Sequence, residues 1–115
     1  MLQINNITQD AKQKHTLVLS DGTSAVLELE YKPQQLSWFI TSLAYKTFLL
    51  QGFRISTSPN CLRQYRNVIP FGLGCFVQDN EELTLQTDFS SGRASLVILT
   101  SDEVAYYEDV LSGKV

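Results

Sequence analysis

The sequence predicts an all-β fold, a small barrel or sandwich with a short C-terminal α-helix. Apolar and polar residues alternate at period two through several segments, as half-buried strands require. These segments are short and separated at regular spacing by turn residues such as Asp21-Gly22 and "SSG" at 90–92. One segment alone, "TSDEVAYYEDVLSGK", carries helical spacing instead. The 115 residues, 43% of them hydrophobic, fit a single β-rich domain spanning 1–115 with its own core.

Residues 14–32 read as a hairpin: "KHTLVLS", the turn "DGT", then "SAVLELEYK". Glycine reaches the positive φ that tight hairpin turns need. Ala25, Leu27, Leu29 and Tyr31 fall on the core face, and Val26, Glu28, Glu30 and Lys32 on the other. Pro33 ends the strand because it cannot donate to a ladder. In "LSWFITSLAY" and "KTFLLQGFRIS" both faces carry apolar residues. Trp38 and Ile40 oppose Phe39 and Leu43, while Phe48 and Leu50 oppose Leu49, Phe53 and Ile55. Two-sided burial predicts central strands, or strands covered by a partner subunit. Gly52 predicts a bulge or a close backbone approach.

"TSPN" is turn material, and Ser58 or Asn60 is positioned to cap a short helix starting near Cys61. "CLRQYRN" is expected to give about two helical turns, with Leu62, Tyr65 and Arg66 on one side and Arg63 elsewhere. Pro70 breaks it. "GLGCFV" reads as a strand with Leu73, Cys75 and Val77 inward, its glycines allowing a tight bend or close packing. Asp79-Asn80 predicts a turn. "LTLQTDF" is expected to form a strand with Leu83, Leu85 and Phe89 inward and Thr84, Gln86 and Asp88 outward. "RASLVILT" is the last strand, which brings the expected total to about seven. In the terminal helix Thr100 and Glu103 have capping-box spacing. Asp102 and Glu103 suit the helix dipole, Val104, Tyr107 and Leu111 form an apolar stripe, and Gly113 marks the stop. The sequence has no internal repeat, linker or low-complexity segment.

The net charge of −3 lacks the basic excess of a nucleic-acid binder, so no nucleic-acid partner is expected. No apolar run reaches the roughly 18 residues a membrane span needs. "MLQINNITQDAKQK" does not read as a signal peptide, which predicts a soluble protein made in the cytosol. Cys61 and Cys75 are then expected to be free thiols. Only 18% of residues are charged, a composition that suits a protein packed against other protein.

Catalytic chemistry is poorly supplied. The single histidine, His15, sits on an amphipathic strand and reads as structural or exposed. A metal site needs several converging ligands, and no such spacing occurs. Cys61 as a nucleophile would need His15 as its base. "GLG" at 72–74 lacks the third glycine of a dinucleotide loop. Glu28 and Glu30 share a strand face, which a solvated outer surface explains most simply. No catalytic, cofactor-binding or metal-binding residue is assigned, and an enzyme is not expected. The cluster Leu62, Arg63, Tyr65 and Arg66 carries the remaining signal. Arg and Tyr are enriched at interface hot spots, which favours a protein contact. The alternatives are that Leu62 and Tyr65 cap the end of the β body with the arginines simply exposed, or that the cluster stacks on single-stranded nucleic acid.

Three stretches, in this order and spacing, resemble the phage baseplate plug family: "WF" at 38–39, "GFRISTSPNCLRQY" at 52–65 and "DFSSGRASLVIL" at 88–99. Together they cover about residues 14–104. The sequence departs from the family where "NVIPFG" replaces a more glycine-rich link. The resemblance implies a structural virion protein of the baseplate of a contractile-tailed phage, assembled in the host cytoplasm. Its implied partners are hub, tail-tube and other baseplate proteins, with several copies around the tail axis and no cofactor. The expected protein interface comprises Leu62, Arg63, Tyr65 and Arg66, with Phe71 in the proline-bent loop and Tyr106 and Tyr107 on the helix. The alternative is a carbohydrate- or cell-wall-binding β module, whose groove would be lined by Trp38, Tyr106 and Tyr107.

Overall fold

The computed structural model describes residues 2–19, 21–78 and 81–111. Its elements are β1 (Leu2–Gln3), β2 (Lys12–Val18), β3 (Ser24–Lys32), β4 (Ser37–Tyr45), β5 (Phe48–Leu50), β6 (Phe53–Arg54), β7 (Gly72–Val77), β8 (Ala94–Leu99) and α1 (Ser101–Leu111), with a 3-10 turn at Arg63–Tyr65. The strands form two antiparallel sheets. One has the order β2-β3-β4-β5, with β6 also pairing β4, and the other the order β1-β8-β7. The arrangement is a sandwich rather than a closed barrel. Its sheets are linked on one side by the chain from Ile55 to Cys61: Ile55 N–H donates to Trp38 O of β4 at 3.0 Å, whereas Ser58 exchanges backbone bonds with Cys75 of β7 at 3.0 and 2.9 Å.

The predicted hairpin forms as read. β2 pairs β3 from Lys12↔Glu30 to Val18↔Ser24, and Ala25, Leu27, Leu29 and Tyr31 are buried. The two-sided pattern of the next strand has a different cause from the one expected. Opposite β3 the register shifts between Glu28 and Leu29, so Thr41 is an extra residue in β4. Its hydroxyl donates to Glu28 O at 3.2 Å. The bulge reverses parity, and Leu43 joins Trp38 and Ile40 in the core instead of opposing them. Phe39 stays on the outer face, where the Lys32 ammonium sits 4.7 Å from its ring centre. Gly52 makes the matching break in the neighbouring chain. At φ +69° it separates β5 from β6 and brings both Leu50 and Ile55 inward.

β7 has the predicted inward set of Leu73, Cys75 and Val77. Its glycines serve close packing. A Cβ at Gly72 would lie 2.8 Å from both Asn60 Oδ1 and Val104 Cγ2, and one at Gly74 would lie 2.8 Å from Pro59 O. β8 is covered on both faces: Leu96 and Ile98 join the main core, while Val97 and Leu99 pack with Val104 and Tyr107 of α1. The helix therefore forms a third layer outside the smaller sheet. Its capping box is reciprocal, Thr100 N–H donating to Glu103 Oε1 at 3.0 Å and Glu103 N–H to Thr100 Oγ1 at 3.2 Å. Of the predicted stripe, Val104 is buried and Tyr107 half-buried, but Leu111 is exposed. Gly113 and the Asp79-Asn80 turn lie outside the described residues.

The expected strand "LTLQTDF" is corrected. Residues 81–85 carry no regular structure and 86–92 are turns. Leu83 and Phe89 are buried as expected, but Leu85 is exposed and Asp88 is fully buried. The physical reason is a carboxylate that organises the loop. Asp88 Oδ2 accepts the backbone N–H of Thr84 at 2.8 Å and of Leu85 at 2.9 Å. Arg93 Nη1 lies 2.9 Å from Asp88 Oδ1, an ion pair whose N–H is not well aligned as a hydrogen bond. Tyr31 Oη donates to Thr84 O at 2.6 Å and Trp38 Nε1 to Leu85 O at 3.2 Å, fastening the loop across the end of the core.

Candidate functional site

The expected helix over "CLRQYRN" is shorter than predicted: one 3-10 turn, Arg63–Tyr65, flanked by turns. Buried Asn60 explains its placement. Asn60 Oδ1 accepts two backbone amides, Leu62 N–H at 3.1 Å and Leu73 N–H at 3.2 Å. One side chain thus starts the turn and ties it to β7. Cys61 N–H donates to Leu73 O at 2.6 Å, a second tie to the same strand.

Onto this base the sequence places the predicted residues at three depths. Leu62 and Phe71 are core residues, with Phe71 against the Tyr45 ring at a centroid distance of 5.3 Å. Expected as contact residues, they instead support the element from below. Tyr65 is half-buried and meets the Phe48 ring edge-on at 5.3 Å. Arg63 and Arg66 are exposed. Arg63 Nε and Nη2 donate to the two Glu108 oxygens of α1, at 2.7 and 3.0 Å. This bidentate bond raises the Arg63 pKa above its usual value. Arg66 Nη1 donates to Arg63 O at 2.9 Å, while its Nε lies 3.6 Å from Glu108 Oε2. Beside the arginines lies a depression of about 390 Å³ lined by Phe53, Cys61, Arg63, Gln64 and Arg66.

The ion pair to Glu108 ties the arginines to α1, the helix that also carries the predicted Tyr106 and Tyr107. These two rings meet edge-on at 5.4 Å, and Tyr106 is 56% exposed. Sequence reasoning missed Glu108, because a partner 45 residues away has no local signature. The groove expected of a carbohydrate-binding module does not form from Trp38, which is 0% exposed and packed between Tyr31 and Phe89.

Cys61 and Cys75 are free, buried thiols. Burial pushes Cys61 up to about 11 and Cys75 up to about 12, so neither forms a thiolate near neutral pH. Cys61 Sγ donates to Ser56 O at 3.2 Å. His15 is half-buried, its Nε2 paired with Gln13 Oε1 at 2.7 Å, and desolvation lowers its pKa. Among the described residues no group of three or more His, Cys, Asp or Glu side chains is placed to hold a metal, and no helix is long and apolar enough to cross a membrane.

No family model matches the sequence, and a search of curated proteins finds no match.

Proposed function

We propose that this chain is a structural component of a phage tail baseplate, docking near the hub and the end of the tail tube through protein–protein contacts. The observation that carries the baseplate assignment is the ordered resemblance of "WF", "GFRISTSPNCLRQY" and "DFSSGRASLVIL" to the baseplate plug family. Several of those residues have framework roles in the fold. Trp38 fills the core, Gly52 breaks a strand, Asn60 sets the 3-10 turn and Asp88 organises a loop. A framework role is what a protein with a mechanical rather than a chemical task needs most.

The site geometry supports the docking part of the reading. Arg63 and Arg66 stand on a base fixed by Asn60, Leu62 and Phe71, so docking through them costs little ordering entropy. In this reading the protein acts in the virion as one of several copies around the tail axis. It assembles in the host cytoplasm with hub, tube and other baseplate proteins, and it uses no cofactor, nucleic acid or membrane. Cryo-electron microscopy of tails carrying a tagged copy of the chain tests the proposal. Label at the baseplate, beside the tube end, is the expected result. Label absent from purified tails contradicts it.

A further inference from the structure

We propose that the depression beside the 3-10 turn receives one carboxylate side chain, from an aspartate or glutamate on an acidic segment of a neighbouring protein. The inference rests on the docking reading and names the chemistry of the contact. Glu108 occupies both fork donors of Arg63, at 2.7 and 3.0 Å. Arg66 meets that carboxylate only at 3.6 Å, beyond hydrogen-bond reach. Its Nη1 is committed to Arg63 O. Among the described residues the Nε–Nη2 edge of Arg66 holds no hydrogen bond. Two guanidinium groups thus stand beside one carboxylate, Arg63 forked onto it and Arg66 paired with it only loosely through Nε, so the Nε–Nη2 edge of Arg66 lacks a hydrogen-bonded partner and the pair keeps a net positive charge. That edge belongs to a residue lining a space of about 390 Å³, together with Phe53, Cys61, Arg63 and Gln64.

The chemistry selects the occupant. A planar fork matches a carboxylate bidentately, and the Phe53 ring suits the methylene stem of a glutamate. A nucleic-acid strand needs a row of cations along its phosphates, and the chain as a whole is acidic at −3. Charge complementarity is local, and it favours an acidic protein segment. Glu108 pins the Arg63 side chain, while the 3-10 turn places Arg66, whose Nη1 is bonded to the Arg63 backbone carbonyl.

The test uses the full chain and a blocked nine-residue peptide with a central glutamate between leucines, alongside its glutamine counterpart and a thymidine dodecanucleotide. Binding is followed by the anisotropy of a fluorescent label on each ligand and, in the wild type, also by the NMR signal of the Arg66 Nε–H. The glutamate peptide should shift that signal at low salt and the glutamine peptide should not. Arg66→Gln should weaken binding at least tenfold, and Arg66→Lys, which keeps the charge but not the fork, should also weaken it. Equal binding of the two peptides, or equal binding by Arg66→Gln, overturns the proposal. A response to the oligonucleotide in place of the peptide also overturns it, in favour of a phosphate site. If the peptide binds as stated while Arg66→Gln chains still enter tails, the pocket stands and the docking reading falls. If the peptide does not bind but chains lacking both arginines fail to enter tails, docking stands and the carboxylate pocket falls.

Discussion

The β2–β4 region and the chain from Ile55 to Arg93 reach one core by different means. In the first, residues 12–45, strand ladders satisfy the backbone, and side chains need only be apolar on the inner face. In the second, β7 is the only named strand, and elsewhere polar side chains turn inward to supply what a ladder would. Asn60 and Asp88 each accept two backbone amides. Where regular pairing stops, the buried polar groups determine the path of the chain, and the exposed arginines owe their placement to one of them.

Substitution at Asp88 should break this contrast most visibly. Asp88→Ala strips two amides of their acceptor and leaves Arg93 without its buried partner, so a loss of about 3–5 kcal/mol is expected in denaturant unfolding. Glu30→Gln, on the outer face of β3, should stay within about 0.5 kcal/mol. Equal effects at the two sites would erase the distinction. Asn60→Ala should cost roughly 2–4 kcal/mol, because two buried amides lose their shared acceptor. Amide exchange should then quicken at Leu62 and Leu73 before it does in β3. Thr100→Ala removes one half of a capping box and should cost about 1 kcal/mol, read as a small drop in melting temperature.

A last test reads the contrast by pH. Unfolded thiols lose their protons near 9, whereas burial holds Cys61 protonated to about 11 and Cys75 to about 12. The native state binds more protons in that window, so the thiol contribution is fully present below pH 9 and is lost as the pH rises through 11 to 12. Stability of the wild type should therefore fall more steeply than that of Cys61→Ala/Cys75→Ala between pH 9 and 11. Parallel curves would mean that the thiols are not held protonated by the fold.

Legibility in the sequence follows the same division. β3 was readable because Ala25, Leu27, Leu29 and Tyr31 keep strict alternation. The terminal helix was readable because Thr100 and Glu103 are local to each other. β4 misled at Leu43 because the bulge at Thr41 changes parity without altering composition. "LTLQTDF" misled because Asp88 alternates like a surface residue while its acceptor role depends on loop geometry and on Arg93. Of the candidate site, the arginines and tyrosines were visible as residue types. Glu108 was not, since it lies 45 residues from Arg63, nor was the depression itself, since its lining joins β6 to the 3-10 turn only in the fold.

The central claim is that the arginine pair is for docking, while Asn60 and the core beneath it hold the fold. Co-assembly of Arg63→Ala/Arg66→Ala with wild type into tails tests it most directly, with the melting curve of the isolated variant as reference. An unchanged curve and at least about tenfold less variant than wild type in purified tails are expected, since a hot-spot truncation typically costs at least about 2 kcal/mol. Equal amounts of the two chains in tails, or a variant that no longer folds, would contradict it.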